Sequence, residues 1–167
     1  YGCAFLTGAG IVINKLKNLD KNKSICLYGV GGVGIATLLA LKSFKFQNLT
    51  IIEKDIKKIR MVKKLGYKKV YDVNKKKDLN EIEKIKGKID ISIEAGGSVN
   101  TIENAFALLN KKGILYFSSH PNDKHTIRVK PHDLICGKKI YGAWGGFCKP
   151  ERDIPKIFNI MKKFHKF

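Results

Sequence analysis

A chain of 167 residues has room for one well-packed core, and 44% hydrophobic with 28% charged residues places it among globular proteins, away from disordered or collagen-like chains. The formal charge of +19 raises the question of a polyanion partner. The lysines, however, are spread along the sequence and flank apolar residues at helix or strand spacing, which describes a solvated face, so neither a nucleic-acid nor a membrane partner is expected.

In chain order, Ser24 to Gly29 is a short apolar run, then a glycine-rich turn, then Ile35 to Phe44, apolar on most faces: strand, turn and buried helix. Leu49 to Glu53 is a second strand rich in β-branched residues. Ile56 to Leu65 places Ile59, Val62 and Leu65 on one stripe with lysines opposite, an amphipathic helix closed by Gly66. The alternation continues with a strand at Lys69 to Asp72, a charged helix at Leu79 to Lys86, a strand at Ile89 to Ile93, a helix at Val99 to Leu109 and a strand at Gly113 to Ser118. Pro121 and Pro131 mark loops, Ile140 to Trp144 reads as a last strand, and Pro150 and Pro155 punctuate the approach to a last helix, Pro155 to Phe164. Strands alternating with helices of about ten residues predict an α/β, doubly wound parallel sheet, the Rossmann fold, in a single domain. Ser24 to Leu41, the longest nearly uncharged stretch, is broken by glycines and does not read as a membrane span.

Gly29-Val30-Gly31-Gly32-Val33-Gly34 is a G-x-G-x-x-G that follows a predicted strand and opens a predicted helix. In that setting the first glycine permits the tight turn, the second lets a pyrophosphate approach, and the third lets helix and strand pack closely. The helix N-terminus then offers free N–H groups to phosphate. An acid about 20 positions on should accept the adenosine ribose hydroxyls. Glu53 stands there, at the end of the second strand, with Asp55 as the competing choice. A carboxylate would repel a 2′-phosphate, so NAD is expected over NADP, with Lys54 and Lys58 working against that discrimination. Methyltransferases that bind S-adenosylmethionine share a glycine loop and a following acid, so the motif leaves the chemistry open.

Both flanks narrow it. Gly2-Cys3-Ala4-Phe5-Leu6-Thr7-Gly8, Tyr28 to Gly34, Glu53 to Gly66, and Gly142-Ala143-Trp144-Gly145-Gly146-Phe147 together resemble the zinc-dependent medium-chain alcohol dehydrogenases of the liver type, over essentially the whole chain. The resemblance implies Cys3 as a ligand of the catalytic zinc and Thr7 against the nicotinamide ring. It implies pyrophosphate contacts from the N–H groups of Gly32 and Val33, and ribose contacts from Glu53 and Lys58. Ala95, Gly96, Ser118, His120 and Ala143 would lie beside the cofactor, although the chain has one residue fewer than the family before its paired glycines. The implied reaction is hydride transfer between an alcohol and NAD, with an aldehyde or ketone as the carbonyl partner. The first 20 residues would form a connecting segment with the third zinc ligand and a lead-in helix, residues 21–167 the NAD-binding domain, and the catalytic domain would be absent, leaving the piece inactive alone. A homodimer through the edge strand Ile140 to Trp144 is also implied.

Two other readings stay open: a zinc-free quinone or enoyl reductase of the same superfamily, and a basic module that binds nucleic acid. Cys3, Cys26, Cys136 and Cys148 show no C-x-x-C spacing, so reduced thiols and a cytoplasmic protein are expected. The first residues lack the charged n-region of a signal peptide and a starting Met. His125, His132 and His165 show no ligand spacing and read as surface histidines, Tyr28 as a strand residue, and Trp144 as core or interface.

Overall fold

Six strands, β1 (Ile25–Tyr28), β2 (Leu49–Glu53), β3 (Val70–Asp72), β4 (Ile89–Glu94), β5 (Leu109–Phe117) and β6 (Lys139–Gly142), pair in parallel in the order β3-β2-β1-β4-β5-β6. This is a computed structural model, and it describes residues 2–162; His165 and the end of the last predicted helix lie outside them. Parallel strands need crossovers, which place helices on both faces of the sheet. The helices are α1 (Gly2–Ile11), α2 (Gly32–Ser43), α3 (Ile56–Lys64), α4 (Lys76–Lys84), α5 (Val99–Ala107), α6 (Pro131–Ile135) and α7 (Pro150–Lys162). Among the described residues no helix is long and apolar enough to cross a membrane.

Adjacent strand residues point to opposite faces, and here each face has its own core. Ile25, Leu27, Ile51, Ile91 and Ile93 share one core with Leu38 and Leu41 of α2 and with Ile157 and Ile160 of α7. Cys26, Tyr28, Ile52 and Leu115 share the other with Ile102 and Phe106 of α5. The first segment enters the former core through Ile11, Ile13 and Leu16, all essentially inaccessible. It does so as α1 followed by a π-helical turn, Val12–Leu16.

Glycines set how closely the backbones approach. A Cβ on Gly8 would strike the carbonyl oxygen of Val33 and lie 2.9 Å from the Ala36 Cβ, so α1 and α2 cross in near backbone contact. A Cβ on Gly34 would strike the Gly29 carbonyl oxygen, which is how α2 begins flush against the end of β1. Gly29 has φ +93° and its Cβ would lie 2.6 Å from the Ala95 carbonyl oxygen, so only glycine fits there.

Several boundaries differ from expectation for local reasons. β5 begins at Leu109 rather than Gly113, with a register shift against β4 that absorbs the extra residues. Residues 131–135, read as loop because of Pro131, form a helical turn in which that proline holds the first position, where its missing N–H costs nothing. Pro150 does the same for α7, which starts five residues before the expected Pro155 and carries Pro155 inside it. β6 stops at Gly142, and Trp144 opens a 3-10 turn, Trp144–Phe147, in which Gly145 and Gly146 have positive φ.

Replacing Gly34 by alanine should force α2 away from β1 and cost about 1–3 kcal/mol. Gly31→Ala meets no atom within 4 Å and should cost no more than about 1 kcal/mol. Chemical denaturation of both variants measures the difference; equal losses would contradict the packing described.

Candidate functional site

β1 and β4 are neighbours whose following helices, α2 and α5, cover opposite faces of the sheet. A crevice opens beyond their C-terminal ends at such a switch point. It holds two chambers. The first, about 370 Å³, is lined by Gly29, Gly31, Glu53, Lys58, Ala95 and Gly96, together with Tyr28, Val30, Ile52, Lys54, Val73, Gly97, Ser98 and Thr101. The second, about 450 Å³, is lined by Cys3, Thr7, Ser118, His120 and Ala143, together with Phe117, Ser119, Gly142, Trp144 and Gly145. Gly32 and Val33 open α2, which has Gly31 at its N-cap and no side chain capping its first turn. Its first N–H groups therefore lack helical partners. Gly34 serves packing at the base of that turn.

Glu53 is buried at the end of β2 and aims back at the glycine loop. Its carboxylate accepts from the N–H groups of Val30 at 2.5 Å, Lys54 at 2.7 Å and Asp55 at 3.0 Å. Asp55 is committed elsewhere. It caps α3, accepting from Lys57 N at 2.8 Å and Lys58 N at 3.4 Å, and those backbone bonds hold its carboxyl below the usual aspartate range. Of the two acids, only Glu53 lines the chamber.

In the second chamber Cys3 and Thr7 stand one turn apart on α1, with Sγ and Oγ1 3.8 Å from each other. The N–H of Ser118 bonds the Glu94 carbonyl at 2.9 Å and that of Ala143 bonds the Phe117 carbonyl at 2.8 Å. Both N–H groups are thus engaged within the protein, and the Ala143 carbonyl also accepts from Gly146 N at 3.2 Å. His120 meets Trp144 edge to face, ring centroids 5.6 Å apart, and Trp144 is 83% exposed on the cleft wall, which rules out the core half of the core-or-interface expectation. Tyr28, expected to be a strand residue only, also lines the first chamber, and burial pushes its phenol above the ordinary value.

Residues 32–163 match the family model described as zinc-binding dehydrogenase. The chain belongs to that family. It is similar to benzyl alcohol dehydrogenase from Acinetobacter calcoaceticus, 25% identical with a TM-score of 0.86 over 98% of this chain and 45% of that one. A putative zinc-binding dehydrogenase from Sinorhizobium meliloti 1021, solved bound to NADP, shares the fold at 15% identity, with a TM-score of 0.79 over 96% of this chain and 47% of that one. Alcohol dehydrogenase 2 of Oryza sativa subsp. japonica is 24% identical over 165 residues, 96% of this chain and 43% of the relative. The chain spans under half the length of the curated relatives it matches.

The metal in the family's name is not accommodated by these residues alone. Among the described residues no three His, Cys, Asp or Glu side chains converge to hold an ion, and a catalytic zinc takes three protein ligands. Cys3, exposed at the chamber mouth, is one donor.

The second chamber of this zinc-binding dehydrogenase domain is held from behind by polar contacts. Asp153, wholly buried near the start of α7, accepts from Arg152 Nε and Nη2, both at 2.7 Å, from Lys149 N at 3.0 Å and from Asn14 Nδ2 at 3.2 Å. The π-helical turn brings Asn14 into reach, and its Nδ2 also lies 3.4 Å from the Gly146 carbonyl. Cys148 donates to the Leu6 carbonyl at 3.2 Å, and burial raises its thiol above the ordinary value. The helix bearing Cys3 and Thr7 is thereby fixed against the turn bearing Trp144 and Gly145.

The Arg152 guanidinium holds the Asp153 carboxyl well below the usual aspartate range. A depressed carboxyl contributes its full stability above the unfolded value of about 4 and loses it as pH falls through the lower folded value. Asp153→Asn should lower the melting temperature at pH 7 by on the order of 5 °C, and by progressively less as the pH is taken below about 4. Thermal melts across pH 2–7 measure this; an equal drop at every pH would refute it.

Proposed function

We propose that this chain is the NAD(H)-binding part of a zinc-dependent alcohol or polyol dehydrogenase, serving hydride transfer between an alcohol and its aldehyde or ketone. The observation that carries this reading is the crevice itself: two chambers at the sheet's switch point, one ending at Glu53 and the other at Cys3 and Thr7. In this reading the adenosine half occupies the first chamber. The N–H groups of Gly32 and Val33 at the start of α2 meet the pyrophosphate, and the nicotinamide reaches Thr7, Ser118, His120 and Ala143. NAD, when bound, supplies the nicotinamide carbon that accepts or gives the hydride.

The residues of this chain orient rather than react. Glu53 would exchange some of its backbone partners for ribose hydroxyls, with Lys58, Ala95 and Gly96 bounding the sugar. Thr7 would hold one face of the nicotinamide ring, and Cys3 would contribute one ligand to a zinc completed by residues beyond this chain. A metal so bound lowers the pKa of an alcohol or water ligand, but these residues alone do not form its site, so turnover requires the rest of the enzyme. The basic-module reading has no observation in its favour beyond overall charge. A zinc-free reductase would give Cys3 no role.

Glu53 in this position favours NAD, since a 2′-phosphate would bring negative charge against a buried carboxylate. Lys54 and Lys58 line the same chamber and temper that preference. In a fluorescence titration, NADH should bind about tenfold or more tightly than NADPH, an energetic difference of roughly 1.4 kcal/mol. Glu53→Gln should narrow the gap, and Gly31→Ala should weaken both ligands while leaving the fold intact. Tighter binding of NADPH would unseat Glu53, and no binding of either would overturn the cofactor reading.

The same reading includes a homodimer through β6, the uncovered edge of the sheet. Most of β6 is exposed, with Tyr141 44% accessible, and an open edge can be paired by a second copy. Light scattering at high protein concentration should give twice the chain mass; a monomeric mass would exclude this contact.

A further inference from the structure

Glu94 ends β4 with no solvent exposure at all, between the two chambers. One carboxylate oxygen, Oε1, gathers donors from both sides. Gly96 N at 2.7 Å, Gly97 N at 3.2 Å and the Thr101 hydroxyl at 2.7 Å come from the turn and helix that wall the first chamber. The Ser119 hydroxyl at 2.7 Å comes from the loop after β5, which walls the second. Ser119 Oγ in turn accepts from Gly97 N at 2.7 Å, closing a loop of bonds between the two walls. The other oxygen, Oε2, has no hydrogen-bond partner among the described residues.

A buried carboxylate is costly to keep unless its donors are well placed, and one left partly unsatisfied calls for an explanation. Packing alone does not supply it, because an apolar residue would fill the volume but leave the Gly96 N–H without its acceptor. Ligand contact does not supply it either, because Glu94 is sealed from the crevice. We propose that Glu94 is a positioning residue that ties the wall of the adenosine-side chamber to the wall of the nicotinamide-side chamber. It thereby sets the separation that a single dinucleotide has to span. The inference rests on the dinucleotide reading for its purpose, although the tie itself is a property of the unliganded protein.

Such a tie acts on a ligand that occupies both chambers far more than on one that occupies the first alone. The test compares NADH with AMP, binding to the wild type, to Glu94→Gln and to Ser119→Ala, and follows amide exchange of Gly96 and Gly97 without ligand. Ser119→Ala should weaken NADH about tenfold and leave AMP within about twofold. Glu94→Gln should weaken NADH further and speed exchange at Gly96 and Gly97. Parallel loss of NADH and AMP in Ser119→Ala, or loss of neither, would overturn the proposal, as would unchanged exchange in a folded Glu94→Gln. Should Glu94→Gln fail to fold, the NADH-to-AMP comparison in Ser119→Ala decides alone. Wild-type protein that binds neither ligand would sink the cofactor reading and with it the purpose assigned to the tie. The exchange rates would still report whether the tie exists.

Discussion

The contact on which the site depends is the one between Gly34 and the carbonyl of Gly29. With no side chain between them, the first turn of α2 rests directly on the end of β1, and the loop from Gly29 to Gly34 has little freedom left. The turn opens at Gly31, which lines the first chamber, and the first N–H groups of α2 follow it without helical partners. A wider helix-to-strand spacing would leave the same sequence with a glycine-rich turn and no cradle. Gly8 repeats the arrangement one layer out, pressing α1 onto α2 and so bringing Cys3 and Thr7 to the far end of the same crevice.

Two strand-end glutamates divide the remaining work. Glu53, ending β2, faces the glycine loop and holds Val30 N–H; Glu94, ending β4, is sealed behind the chamber walls and holds Gly96, Gly97 and Thr101. Both use a carboxylate to satisfy backbone donors in turns that no strand or helix ladder can reach, which is the general problem of loops at the rim of a parallel sheet. The difference is access. Glu53 lines a chamber, whereas Glu94 has no surface open to one.

Much of this was legible in the sequence because period and punctuation act locally. Runs such as Leu49 to Glu53, bounded by turn residues, state their own strand, and the glycines after Tyr28 state the turn. Glu94 was not legible, although Ile-Asp-Ile-Ser-Ile-Glu ends on an acid much as Leu-Thr-Ile-Ile-Glu does. Its partners come from α5 and from the loop after β5, so only the folded arrangement tells a buried carboxylate from a solvated one. The helical start of α7 was hidden for another reason. Proline reads as a breaker, but at Pro150 it opens a helix, and the single hydrogen bond given up at Pro155 is outweighed by the contacts of Ile157 and Ile160 with the core. Asn14 was silent for a third, since a π-helical turn leaves no periodic trace in so short a segment.

A ligand with two joined halves gains from the second half only when both subsites stand at the right separation, because the linkage otherwise strains one contact to make the other. In this chain the two chambers are built from distant stretches: residues 28–58, 73 and 95–101 for one, residues 3–7 and 117–145 for the other. Sheet pairing alone fixes their spacing loosely, since loops beyond strand ends are the least constrained part of such a fold. Asn14 ties the π-helical turn after α1 to Asp153 and to the Gly146 turn, and Glu94 ties the loop after β4 to the loop after β5. These buried acids thus lie where connecting segments need fixing, and the apolar cores supply the cohesion that makes their burial tolerable.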